Sequence, residues 1–164
     1  MRCSALMKCR AVPIVGLSLL LMAGARSGSS QPRDPWVGTW SLNFAKSSQT
    51  TEGPRYKRVT SKIEPWAEGL KVTYDMVGTR GGVTHWEWTG RFDGKDYPMQ
   101  GVDTVMTNAY RKIDGRSYEI VVKVDGNVAA VSRVTVSPDG RTLNVVTGQT
   151  TTSVYERTAD DHRP

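Results

Sequence analysis

The chain is nearly without cysteine and histidine. Its two cysteines, Cys3 and Cys9, sit within the first nine residues, and its two histidines are His85 and His162. Past Cys9 no disulfide framework can form, and a zinc site of the usual Cys/His ligation cannot be assembled. No metal and no cofactor is expected. Long hydrophobic runs are also lacking. The most apolar stretch, residues 12–22, reads V-P-I-V-G-L-S-L-L-L-M, about half of the roughly 20 residues that a membrane-spanning helix needs. No segment has the spacing of a nucleophile elbow, a phosphate-binding loop or a dinucleotide fingerprint. The acidic residues are spread along the chain, with no pair spaced for glycoside hydrolysis. After residue 25 no helical stripe exceeds about two turns; residues 43–48 are the one candidate for a short helix.

What is present first is a basic excess: 22 Lys+Arg against 16 Asp+Glu in 164 residues, a formal net charge of +6. Its position matters more than its size. Arg2, Lys8 and Arg10 precede the apolar stretch, and Ala23-Gly24-Ala25 follows it. Basic region, apolar region and small-residue cleavage site are the three parts of a secretory signal peptide, expected over residues 1–25. Its removal would take three basic and no acidic residues, leaving +3. The rest of the positive charge is scattered. Its densest group, Arg55, Lys57, Arg58 and Lys62, alternates with Val59 and Ile63 as the wet face of a strand does. A nucleic-acid partner is therefore not expected. Export to the periplasm or the medium is.

Residues 26–35, with two prolines and no apolar periodicity, read as a tether, and residues 159–164 as a polar tail. Between them the length allows one domain. Asp-Gly pairs at positions 93–94, 114–115, 125–126 and 139–140 separate stretches rich in Val, Ile, Thr and aromatics. Asp-Gly readily takes the backbone angles of tight hairpin turns. Glu68-Gly69, Gly81-Gly82 and Gly101 read as further turns. Strands are expected near 36–43, 57–64, 70–77, 83–92, 96–100, 103–113, 117–124, 128–136, 142–147 and 152–158. Alternation sorts their faces: Tyr118, Ile120, Val122 and Val124 oppose Glu119 and Lys123, and Leu70, Val72, Tyr74 and Met76 oppose Lys71, Thr73 and Asp75. The connections are too short for parallel crossovers. The fold class is all-β, an antiparallel up-and-down meander of about 8–10 strands, whose edges vanish if it closes into a barrel; a two-sheet sandwich is the alternative. The run Ser137-Pro138-Asp139-Gly140-Arg141-Thr142-Leu143 resembles a propeller-blade turn but occurs once, and reads as a strand ending in a Pro-Asp-Gly turn.

The two ends of this region carry a resemblance. Gly38-Thr39-Trp40 on the first expected strand resembles the G-x-W signature of the lipocalins, and with Leu42 it is similar to the opening of the fatty-acid-binding proteins. Val154-Tyr155-Glu156-Arg157 resembles the closing strand of the latter. The chain also resembles exported bacterial lipocalin-like proteins through Phe92-Asp93-Gly94-Lys95-Asp96-Tyr97-Pro98 and Val136-Ser137-Pro138-Asp139-Gly140. The resemblance implies a calycin barrel over residues 36–158. Trp40 would then close the barrel base, Gly38 would let the backbone bend, and Arg157 would lie over the indole face, worth about 0.5–2 kcal/mol. Two features depart from the fatty-acid-binding proteins: only residues 45–56 stand where they have a longer helical lid, and Ser153 replaces their carboxylate-binding arginine two positions before Tyr155.

If Trp40 sets the inward face, the lining comprises Tyr74, Met76, Trp86, Trp88, Met106, Tyr110, Tyr118 and Tyr155. These residues are either a core or the wall of a pocket for one small apolar or amphipathic ligand. His85 and Glu87 share the other face of their strand, where they would pair with Arg91 as surface charges. In the reverse register they would stand inside an apolar cavity as a general acid–base pair of a cyclase, isomerase or hydratase. The expected function is non-catalytic binding of a small molecule by an exported, monomeric barrel without stable membrane insertion. The alternatives are that barrel-cavity enzyme and a structural module with a filled core.

Overall fold

In the computed structural model the described residues are 34–48 and 54–158. The expected signal peptide, most of the tether and the polar tail lie outside them. Ten strands follow in order: β1 (Gly38–Leu42), β2 (Tyr56–Trp66), β3 (Gly69–Gly78), β4 (Val83–Arg91), β5 (Tyr97–Gln100), β6 (Met106–Lys112), β7 (Ser117–Val124), β8 (Asn127–Val136), β9 (Thr142–Thr147) and β10 (Thr151–Arg157). Each pairs antiparallel with its chain neighbour, and β1 also pairs with β10, so the meander closes into a barrel rather than a sandwich. Closure satisfies the two edges that a ten-strand open sheet would expose.

The local reasons are visible in the turns. At the β7–β8 hairpin Asp125 and Gly126 have φ of 49° and 80°, the left-handed pair that a two-residue turn needs. Three expectations shift. Glu68-Gly69 is not the β2–β3 turn: Ala67 takes the positive φ of 44°, and Gly69 already starts β3. Glycine is needed there because a Cβ would collide with the Gly90 carbonyl of β4. The sixth strand begins at Met106, three residues later than expected, because Gly101 turns with φ of 83° and the chain reaches β6 only after several bends. Residues 43–48 form turns rather than a helix, folding over β10 where Ser47 Oγ accepts from the Val154 amide at 2.9 Å.

Alternation is plain on β3, while register slips interrupt the β2–β3 pairing near residues 56–58 and the β7–β8 pairing near Val122. On β3, Leu70 and Val72 are 1 % and 2 % exposed and face inward with Trp88 of β4 opposite Val72. The core lies inside the barrel, so a residue on the inner face of one strand meets the inner face of all the others.

Candidate functional site

The inner face is not uniform along the barrel axis. At the end holding the β2–β3, β4–β5, β6–β7 and β8–β9 turns, inward side chains are fully buried: Trp36, Trp40, Trp88, Leu70, Val134 and Val136 have 2 % exposure or less. Aromatic rings fill the axis there. Trp88 stacks on Tyr110 with centroids 3.8 Å apart, Tyr110 lies over Tyr118 at 5.4 Å, and Trp36 meets Tyr118 edge-on at 5.1 Å. Trp36 does not extend β1 as expected; it precedes the strand in a turn and plugs this end, its carbonyl accepting from Trp40 Nε1 at 2.8 Å.

At the opposite end most inward residues are only partly buried, although Val59 and Ser132 there are 5 % and 7 % exposed. Tyr74, Met76, Trp86, Met99, Met106, Ile120, Val122 and Val145 occupy inner-face positions yet are only partly buried. Around this end Val83, Val105 and Val128 are the most exposed large apolar side chains, at 72 %, 70 % and 61 %.

Of the eight lining residues expected from the sequence, all have inward register, but the structure divides them. Tyr74, Met76, Trp86 and Met106 stand at the open half. Trp88, Tyr110 and Tyr118 belong to the sealed stack and spend their faces on one another. Tyr155, 7 % exposed, lies between the halves, its ring edge-on to Tyr74 at 6.4 Å. Alternation also puts Ile120 and Val122 on the face of Tyr118, and both stand in the partly buried half. Ser61 and Asn108, each 3 % exposed, are inner-face polar residues whose inward place the residue type alone does not indicate.

Burial keeps the interior phenols neutral. Desolvation raises the Tyr74, Tyr110, Tyr118 and Tyr155 hydroxyls above the ordinary tyrosine value, strongly for Tyr110, Tyr118 and Tyr155. The Tyr74 hydroxyl faces those of Ser61 and Tyr155.

His85 and Glu87 lie on the outer face, opposite Asp75 and Thr73 of β3. The expected partner Arg91 is not theirs; it faces Glu68 at 3.3 Å. Instead His85 Nδ1 lies 2.7 Å from Asp75 Oδ1, and Glu87 lies 3.0 Å from Lys71 Nζ and 3.6 Å from His85 Nε2. The bond to Asp75 raises the His85 pKa, and the bond to Lys71 lowers that of Glu87. Pairing across β3 and β4 wins because antiparallel neighbours are closer than residues two turns of the pleat away. With Trp86 inward, the register that would put this pair inside a cavity is not the one adopted.

Gly38 has a φ of 146°, which a side chain would strain, and so bends β1 into its turn with Trp36 and Val37. The Arg157 guanidinium lies 4.2 Å over the Trp40 ring. Two hollows border these strands: about 300 Å³ beside Gly38, Thr39 and Ile63, and about 480 Å³ beside Lys46, Arg141 and Arg157. Among the described residues no group of three or more His, Cys, Asp or Glu is placed to hold a metal. Compared with known proteins, the chain matches no family model and no curated protein.

Proposed function

We propose that this protein is an exported lipocalin-like carrier that binds one small apolar or amphipathic molecule in the open half of its barrel, without catalysis. The observation that carries the reading is the unequal inner wall: one end is sealed by stacked aromatics, while the other keeps apolar inward side chains within reach of solvent. Such a wall retains apolar surface that a ligand can cover, at about 25 cal/mol per Å² removed from water. The tripartite N-terminal sequence supports export, and the modest charge of the remaining chain supports a small-molecule rather than a nucleic-acid partner. The resemblance to calycins at Gly38, Trp40 and Arg157 agrees with a barrel of this kind. The protein acts as a monomer in this reading.

Native mass spectrometry of the protein purified from its own host tests it. A co-purified small molecule, lost on mild unfolding, is the expected result; repeated absence of any adduct under gentle conditions counts against a carrier. The packed stack at the sealed end is the observation that favours the second reading, a structural module, and that reading gains if no adduct appears.

A further inference from the structure

The barrel interior holds polar atoms that the fold itself leaves unused. Ser61 stands on β2 between Val59 and Ile63, and Asn108 on β6 between Met106 and Tyr110. Both are 3 % exposed; Asn108 Oδ1 completes no hydrogen bond, and the one group near Ser61 Oγ is the Tyr74 hydroxyl, not at full hydrogen-bond geometry. A buried polar atom without a partner is destabilising, and native interiors keep few of them. Ser61 belongs to a group: in register it sits beside Tyr74, whose hydroxyl faces those of Ser61 and Tyr155. Next to this hydroxyl cluster the rings of Tyr74 and Trp86 lie stacked, centroids 4.3 Å apart and 20° from parallel.

Charge is what the same wall lacks. Among the described residues, the inward register positions of the open half hold no Lys, Arg, Asp or Glu. The two inward cations, Lys112 and Arg157, are at the sealed end, one paired with Asp34 and the other donating to the carbonyls of Pro35, Val37 and Gly140. A carboxylate entering the open half would lose water and meet no cation.

Resting on the carrier reading, we propose that the site takes an uncharged, flat ring system bearing a hydroxyl. The ring packs on the Trp86–Tyr74 wall, its hydroxyl bonds within the Ser61–Tyr74–Tyr155 cluster, and the same ring carrying a carboxylate is rejected. Neutral phenols in the wall agree with this, because the desolvation that keeps them protonated also opposes any other anion.

Equilibrium dialysis of the full chain at pH 7 against naphthalene, 2-naphthol and 2-naphthoate holds ring size constant and varies only the polar group. The expected order is 2-naphthol tightest, by roughly 3- to 10-fold over naphthalene, one neutral hydrogen bond in size, with 2-naphthoate weakest. Ser61→Ala and Tyr155→Phe should each bring 2-naphthol toward naphthalene while leaving naphthalene unchanged; unchanged naphthalene affinity also shows that the variants are folded. Binding of 2-naphthoate as tight as 2-naphthol overturns the proposal, as does a 2-naphthol to naphthalene ratio untouched by both substitutions. If none of the three probes binds, the ring-ligand proposal falls, while the carrier reading is decided separately by the native mass spectrometry of the co-purified protein.

Discussion

The guanidinium of Arg157 lies 4.2 Å over the ring of Trp40, directly across the β1–β10 seam that closes the barrel. It also donates to three backbone carbonyls, Pro35 and Gly140 at 2.6 and 2.7 Å and Val37 at 2.8 Å. One side chain thus ties the segment before β1, the first strand and the β8–β9 turn together, at the end where Trp36 and Trp40 are fully buried.

Truncating either member should open that seam. Trp40→Ala is expected to cost about 3–5 kcal/mol as a buried aromatic truncation. Arg157→Lys keeps the charge but loses the planar fork that reaches three carbonyls, and is expected to cost about 1–2 kcal/mol. Urea unfolding measures both; an unchanged midpoint for Trp40→Ala would refute its place in the core.

The unequal inner wall predicts opposite responses to the same kind of enlargement. Val134, 2 % exposed at the sealed end, has no room, so Val134→Phe should destabilise by about 1–3 kcal/mol. Ile120, on the inner face of β7 two residues beyond Tyr118, is only partly buried. Ile120→Phe should leave stability close to wild type and weaken 2-naphthol binding roughly tenfold, a steric loss of about 1.4 kcal/mol. Thermal melts and dialysis of both variants check this, and equal destabilisation of the two would show that the interior is packed throughout.

His85 supplies a pH dependence on the outer wall. Its bond to Asp75 raises its pKa above the ordinary histidine value, so the fold favours the charged ring. That contribution is fully present below the unfolded pKa of about 6.5 and is lost as pH rises through the higher folded value. Asp75→Asn should therefore cost more stability in mildly acidic than in alkaline buffer. With only two histidines in the chain, NMR titration resolves the ring; a His85 pKa that Asp75→Asn does not lower would remove the bond from the account.

Buried phenols set the alkaline limit. Desolvation raises Tyr110 and Tyr118 well above their ordinary value. The fold favours their neutral form, so its advantage is complete below about pH 10 and falls as the unfolded chain ionises above it. Phenolate absorbance should then rise in step with unfolding followed by circular dichroism, rather than before it. Ionisation of all six tyrosines with the fold intact would contradict their burial.

Much of the fold could be read along the chain because β-structure is a local code. Period-two alternation at residues 70–77 and 117–124 and Asp-Gly turns between strands are set by neighbours in sequence, and these elements appear within a few residues of where they are expected. The misses come from contacts made at a distance. Gly69 reads as a turn residue until Gly90 of the next strand is seen against it. Arg91 reads as the partner of Glu87 until the β3–β4 register brings Lys71 closer.

For the candidate site the division is sharper. Alternation alone decides that Tyr74, Trp86, Trp88, Tyr110 and Tyr118 share the inward face, since a side chain's face follows from its parity on the strand. Only the closed tertiary structure decides which of them remain open. Trp88 and Tyr110 are sealed because strands β4 and β6, separated by the short β5, bring their rings 3.8 Å apart, whereas Trp86 and Tyr74 stack nearer the opposite end and stay partly exposed. Parity is one-dimensional and written in the sequence; depth along the barrel axis depends on register, stagger and closure, which involve every strand at once.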